Sequence, residues 1–140
     1  MGSFHCSYPR GWGGGIRRPT TRRMLHESDY IFVYASESDI RNFKPNFSLL
    51  AKLGRYLCIT APGDKCDFVS RFFTCDGIDE DPVTGSSHST LIPYWSKRLG
   101  KNKMLAQQLS ERGGELRCEY LGERVLISGQ AKTYMHGKLF

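Results

Sequence analysis

Between residues 79 and 95 the chain reads Asp79-Glu80-Asp81-Pro82-Val83-Thr84-Gly85-Ser86-Ser87-His88-Ser89-Thr90-Leu91-Ile92-Pro93-Tyr94-Trp95. An acidic loop runs through Thr84-Gly85 into a helix start built from small hydroxyl residues. The first turn of a helix leaves backbone N–H groups without intrahelical partners, at the positive end of the helix dipole. Small residues there let an anion come close, so a carboxylate or phosphate can be held at Gly85, Ser86 and Ser87. The same residues also make a plain helix start, with Ser86 as the cap and Asp81 facing the dipole. His88 carries the imidazole that a general base needs, and a packed helix histidine is its other reading. Asp76, Asp79, Glu80 and Asp81 crowd carboxylates together. They lack the order of a calcium loop, with glycine at the sixth place and a late glutamate, so a solvated acidic loop and no metal are expected.

The other reactive residues point away from metal or disulfide chemistry. Cysteines stand at 6, 58, 66, 75 and 118. Their number is odd and no pair is spaced C-x-x-C, as close zinc pairs would be. Cys58 and Cys118 lie among apolar residues and read as small core side chains. A reducing, cytoplasmic compartment is the expectation.

The helix must be positioned by something, and the surrounding pattern says what. Leu91, Ile92, Tyr94, Trp95 and Leu99 cover more than one narrow face, so a helix over about 86–99, closed by Gly100, should be buried. Pro93 inside it removes an N–H and predicts a kink or a late start. Tyr30 to Tyr34 is aromatic and β-branched, a strand. Ser36 with Asp39 three residues on marks a short helix over 37–43, which must stop before Lys44-Pro45. Asn46 can cap a second short helix carrying Phe47, Leu50 and Leu53, ended by Gly54. Strands are expected at 56–60, 68–73, 103–109, 115–121 and 124–136, with turns at Gly113-Gly114 and Gly122-Glu123. Strands and helices do not alternate regularly, which predicts an α+β class with a mostly antiparallel sheet.

At 140 residues, with hydrophobic residues at 39%, the chain is long enough for one core. No apolar run approaches the roughly 20 residues of a membrane span. No apolar stretch of a secretory signal opens the chain. The net charge of +6 invites a nucleic-acid reading, but it is concentrated. Residues 1–24 hold five arginines and no acid, whereas the remaining 116 hold 15 basic and 14 acidic side chains. A domain that grips phosphate spreads its cations over a face of the fold. The reading is therefore a basic Gly/Arg-rich arm over 1–28, flexible or loosely docked, followed by a folded lobe over 29–140.

Several long motifs occur in order: Asp67-Phe68-Val69-Ser70-Arg71-Phe72-Phe73, Asp81 to Ser86, Pro93-Tyr94-Trp95, Arg98-Leu99-Gly100-Lys101, Gln108-x-Ser110-x-Arg112-Gly113-Gly114-Glu115-Leu116 and Ser128-Gly129. Together they resemble the PhzF-type (phenazine biosynthesis-like) isomerase family, and specifically its second, C-terminal lobe. The resemblance implies a diaminopimelate epimerase-like lobe, a curved sheet around one central helix. It implies an active site between two such lobes that uses no cofactor and no metal and moves a proton on a small carboxylic acid. Asp81 would assist the acid–base work. Thr84, Gly85, Ser86 and Ser87 would hold the substrate anion, with His88 supporting the helix start from behind. Ser87 and Ser89 depart from the Ala and Cys that members often carry. No cysteine lies in the loop, which removes the chemistry of the related thiol-pair racemases. No residue here matches the family's principal proton-transferring glutamate, which belongs to the first lobe.

Three functions follow for testing. The chain supplies half of a proton-transfer site; or it is a non-catalytic small-anion-binding or interaction protein of that fold; or, least favoured by the charge distribution, it binds nucleic acid through the arginine arm. A lone lobe would expose the face meant for the first, so a homodimer is expected.

Overall fold

The computed structural model describes residues 21–26 and 29–139. The expected basic arm, and with it Cys6, lies outside the described residues except for 21–26. The elements run β1 (Thr21–His26), β2 (Asp29–Val33), α1 (Glu37–Arg41), α2 (Phe47–Leu53), β3 (Tyr56–Pro62), β4 (Phe68–Phe73), α3 (Gly85–Leu99), β5 (Lys103–Gln108), β6 (Gly114–Tyr120) and β7 (Val125–Ser128). The seven strands form one sheet in sequence order.

The local signals act as elementary chemistry requires. Ser36 accepts from the Asp39 N–H at 3.3 Å while its own N–H donates to Asp39 Oδ2 at 3.1 Å, a reciprocal cap on α1. Asn46 Oδ1 accepts from the Leu49 N–H at 3.1 Å, and Gly54, at φ +58°, ends α2.

The sheet is mostly antiparallel, as expected, with two parallel pairings. β2 and β3 are parallel, as are β4 and β5; the other four pairings are antiparallel. The sheet is mixed because α1–α2 and α3 each serve as a crossover between neighbouring strands. β2–β3 and β4–β5 point in opposite directions while the chain advances the same way across the sheet. The right-handed rule for crossovers then demands helices on opposite faces. That is the arrangement found. Ile31, Val33, Cys58, Phe68 and Phe72 pack with Leu91, Ile92 and Trp95 of α3. Phe32, Leu57, Ile59, Val69 and Phe73, from the alternate positions, pack with Ile40 and Leu50 of α1 and α2.

The α3 face is the continuous one. Trp95 stacks on Phe68 of β4 with ring centroids 5.6 Å apart, and its indole N–H donates to Thr60 Oγ1 of β3 at 3.0 Å. α3 also packs on β5, β6 and β7. Five flat strands would span about 19 Å, wider than a helix of about 10 Å. The sheet therefore curls round α3.

Three expectations change. Residues 21–26, read as part of a flexible or loosely docked arm, form β1, paired antiparallel with β2. The last strand, expected over 124–136, ends at Ser128, and residues 129–139 are exposed and outside any element. Leu126 points away from the α3 cluster and is 55% exposed, so the run beyond Ile127 has no second layer to pack on. Finally, α3 starts at Gly85, with Thr84 rather than Ser86 at its cap position, and Pro93 lies within it without a late start.

Candidate functional site

Two strands and a helix converge on the loop before α3. From β4, the Phe72 carbonyl accepts from the Asp81 N–H at 3.0 Å. Arg71, also on β4, makes a two-pronged ion pair with Glu80 at 2.7 and 2.8 Å. Its remaining guanidinium nitrogen donates to the Phe43 and Ile40 carbonyls at 2.9 and 3.3 Å, and the group lies over the Phe73 ring. Arg71 thus ties the acidic loop to α1. A planar guanidinium suits this task because it donates in several fixed directions at once.

The end of β5 holds the other side. Gln108 is 1% exposed, and its side chain makes three bonds to the loop. Its Oε1 accepts from the Thr84 N–H at 2.8 Å; its Nε2 donates to the Asp81 carbonyl at 2.7 Å and to Thr84 Oγ1 at 3.1 Å. The partners fix the amide's orientation, since an N–H can only donate and a carbonyl only accept. Thr84 Oγ1 then has its own proton left for Asp81 Oδ2, 2.6 Å away. Beyond Gln108, Ser110 Oγ donates to the Pro82 carbonyl at 2.7 Å and accepts from the Gly113 N–H at 3.1 Å.

The helix start is unusual as a consequence. Thr84 occupies the cap position, yet among the described residues no side-chain oxygen accepts from the first-turn amides of α3. Ser86 is exposed and Gly85 has open space where a Cβ would stand. Ser87 points inward: it is 3% exposed and donates to the Thr84 carbonyl at 3.1 Å. Only its backbone N–H, not its hydroxyl, can serve the anion role expected of it.

His88 is fully buried. Its Nδ1 donates to the Thr84 carbonyl at 2.7 Å, which fixes the tautomer, and its ring lies against Phe68. Nε2 has no hydrogen-bond partner among the described residues. Burial pushes the imidazole below its ordinary value of 6.5, so it is neutral near pH 7. An imidazole in that position braces the helix start and reaches no solvent. Burial also pushes the Cys58 thiol up to about 12 and the Cys66 thiol up to about 11, which keeps both protonated. Among the described residues no three metal-ligating side chains gather, and no helix is long and apolar enough to cross a membrane.

A cleft of about 740 Å³ opens at this helix start, lined by Val83 and Gly85, by Arg112 to Leu116, and by Ile127 to Gln130. Of the predicted residues Gly85 lines it, next in the chain to Thr84, whose hydroxyl holds Asp81. The cleft is shaped by two glycines. Gly113 turns the chain at φ +70°, and a Cβ on Gly114 would lie 2.4 Å from Val83 Cγ2. Arg112 lines the same cleft and also a second one of about 710 Å³, with Arg71, Asp79, Glu80, Pro82 and Ser110. The Gln108-x-Ser110-x-Arg112-Gly113-Gly114 motif, without a site role in the sequence, is what grips the loop through Gln108 and Ser110.

The fold and cleft define a mixed α+β lobe whose central helix start lacks a side-chain cap and is clamped from the adjacent strand. The family model described as phenazine biosynthesis-like protein (PhzC-PhzF) matches residues 21–137, so the chain belongs to that family. It is 52% identical over 119 residues to an uncharacterized isomerase of Pseudomonas aeruginosa, covering 83% of this chain and 46% of that protein. It is 49% identical over 134 residues to the human phenazine biosynthesis-like domain-containing protein, covering 86% of this chain and 46% of that one. Among solved structures, a PhzC/PhzF phenazine biosynthesis protein of Clostridium difficile superposes with a TM-score of 0.73 at 50% identity, over 80% of this chain and 44% of that one. The chain thus spans about half the length of the relatives it matches.

Proposed function

We propose that this chain is the substrate-anion lobe of a cofactor-independent isomerase acting on a small carboxylic acid. The observation that carries the reading is the Asp81 carboxylate, held by the Thr84 hydroxyl at 2.6 Å beside a helix start whose amides no side chain caps. The substrate carboxylate takes the amides of Gly85, Ser86 and Ser87, with Arg112 along the same cleft adding charge. Asp81 assists as a hydrogen-bonding and proton-handling group. A proton leaves one carbon of the substrate and returns at another, and the principal base is the glutamate of a first lobe. The isomerase names of the relatives support this class, and the sheet curled round α3 supports the diaminopimelate epimerase-like lobe.

The family's glutamate has no match here, which favours the second reading, anion binding without turnover, for the chain by itself. General acid–base catalysis contributes about 10²–10⁴-fold per positioned group, so a site lacking its main base is nearly silent. The four free cysteines among the described residues support a reducing cytoplasm.

The test is solvent exchange. A panel of small carboxylic acids is incubated with the protein in D₂O and deuterium at carbon is read by NMR. Little or no incorporation is expected from this chain alone. Robust incorporation that survives Asp81→Asn would place the chemistry elsewhere.

A further inference from the structure

Threonine is a good helix cap when its hydroxyl oxygen accepts from the second or third amide of the helix. Thr84 stands at that position in an extended conformation, φ −106° and ψ 103°, and does not cap. Its hydroxyl is engaged on both sides instead. Gln108 Nε2 donates to it at 3.1 Å and it donates to Asp81 Oδ2 at 2.6 Å. Gln108 has no freedom to do otherwise, because its other bonds to the Thr84 N–H and the Asp81 carbonyl lock the amide at 1% exposure.

From this geometry we propose that Gln108 is a positioning residue that turns the Thr84 hydroxyl away from its own helix and onto Asp81. The diversion does two things at once. It fixes one carboxylate oxygen of Asp81, leaving the other for a ligand. It also keeps the amides of Ser86 and Ser87 from being satisfied within the chain. Gln108 then acts on the ligand only through Thr84, and the assignment of a ligand to those amides rests on the function proposed above. Where Gln108 is replaced by methionine, similar in length but without donors, the Thr84 oxygen loses the donor that occupies it and keeps only the bond it gives to Asp81. That oxygen is then open to a first-turn amide of its own helix, and the helix caps itself.

Amide hydrogen exchange of the full chain tests this without any ligand. In Gln108→Met the Ser86 and Ser87 amides should exchange about fivefold more slowly, the equivalent of one typical cap. In Gln108→Met/Thr84→Val, where no hydroxyl is left to cap, exchange should return to the wild-type rate. Thr84→Val alone should leave it unchanged, because Thr84 caps nothing in the native protein. Faster exchange in Thr84→Val, or a double variant no faster than Gln108→Met, would overturn the proposal. A titration with sodium acetate, read on the same amides, separates the two ideas. Binding should be weakened in Gln108→Met and recovered in the double variant. If the wild type does not bind acetate while the exchange pattern holds, the proposed function fails and the role of Gln108 stands. If the double variant binds as weakly as Gln108→Met, Gln108 is a structural residue only.

Discussion

A neutral imidazole buried at the start of α3 makes the protein sensitive to mild acid. His88 has its pKa lowered by burial from an ordinary 6.5, so the unfolded chain binds its proton first. Stability therefore falls as pH drops below about 6.5 and levels off once the folded-state pKa is passed. Glu37 acts in the same direction at lower pH. Its carboxylate accepts from the Asp64 N–H at 2.7 Å and pairs with Arg41, which together hold it below its ordinary 4.5. The stability it lends is present above 4.5 and lost as pH falls through its folded value. Urea unfolding midpoints measured from pH 8 to 3 should fall in two stages. His88→Asn, which keeps a donor for the Thr84 carbonyl, should flatten the first stage, and Glu37→Gln the second. A first stage that survives His88→Asn would show that another group titrates there.

Part of the site was legible at this scale and part was not. A hydroxyl-rich helix start after an acidic loop marks itself by composition, and Asp81, Thr84 and Gly85 fall together in space. The direction of Ser87 could not be read, because on a helix that is apolar most of the way round a serine at the margin can face either way. Gln107 and Gln108 are neighbours of one type, and only the strand register decides which is buried.

At the scale of elements, the cleft depends on a glycine that the loop before α3 leaves no room to replace. A methyl group on Gly114 meets the Val83 side chain at 2.4 Å. Gly114→Ala should cost about 1–3 kcal/mol, the range for overpacking a filled space. Gly114→Ala/Val83→Ala should recover most of it. Denaturant midpoints decide; a double variant no better than the single one would mean that the backbone, not Val83, sets the constraint. Trp95 is the larger anchor. It projects from α3 and is fully buried against β3 and β4, with its N–H bonded to Thr60. Trp95→Ala should destabilise by about 3–5 kcal/mol. Trp95→Phe, which loses that bond, should cost less. The capping signals at Ser36, Asn46 and Gly54 were readable because each acts within a few residues. Parallel pairing was not, since nothing local in Tyr56–Pro62 or Lys103–Gln108 records which neighbour a strand meets. β1 was hidden for a different reason: Thr21-Arg22-Arg23 carries the charge of the arm before it, and its pairing comes from the β2 edge.

For the molecule as a whole, charge and length set the terms. The basic excess lies in residues 1–24, while the sequence beyond carries nearly equal numbers of basic and acidic side chains. The chain matches 46% of the length of its curated relatives and is proposed to bind without completing the reaction. The most direct measurement is an amide chemical-shift titration of the ¹⁵N-labelled chain with small carboxylates, beside Asp81→Asn. The account predicts saturable shifts centred on Gly85, Ser86 and Ser87, weakened or altered in Asp81→Asn while the rest of the spectrum keeps its dispersion. Shifts confined to residues 1–24, or none between residues 81 and 88, would contradict it.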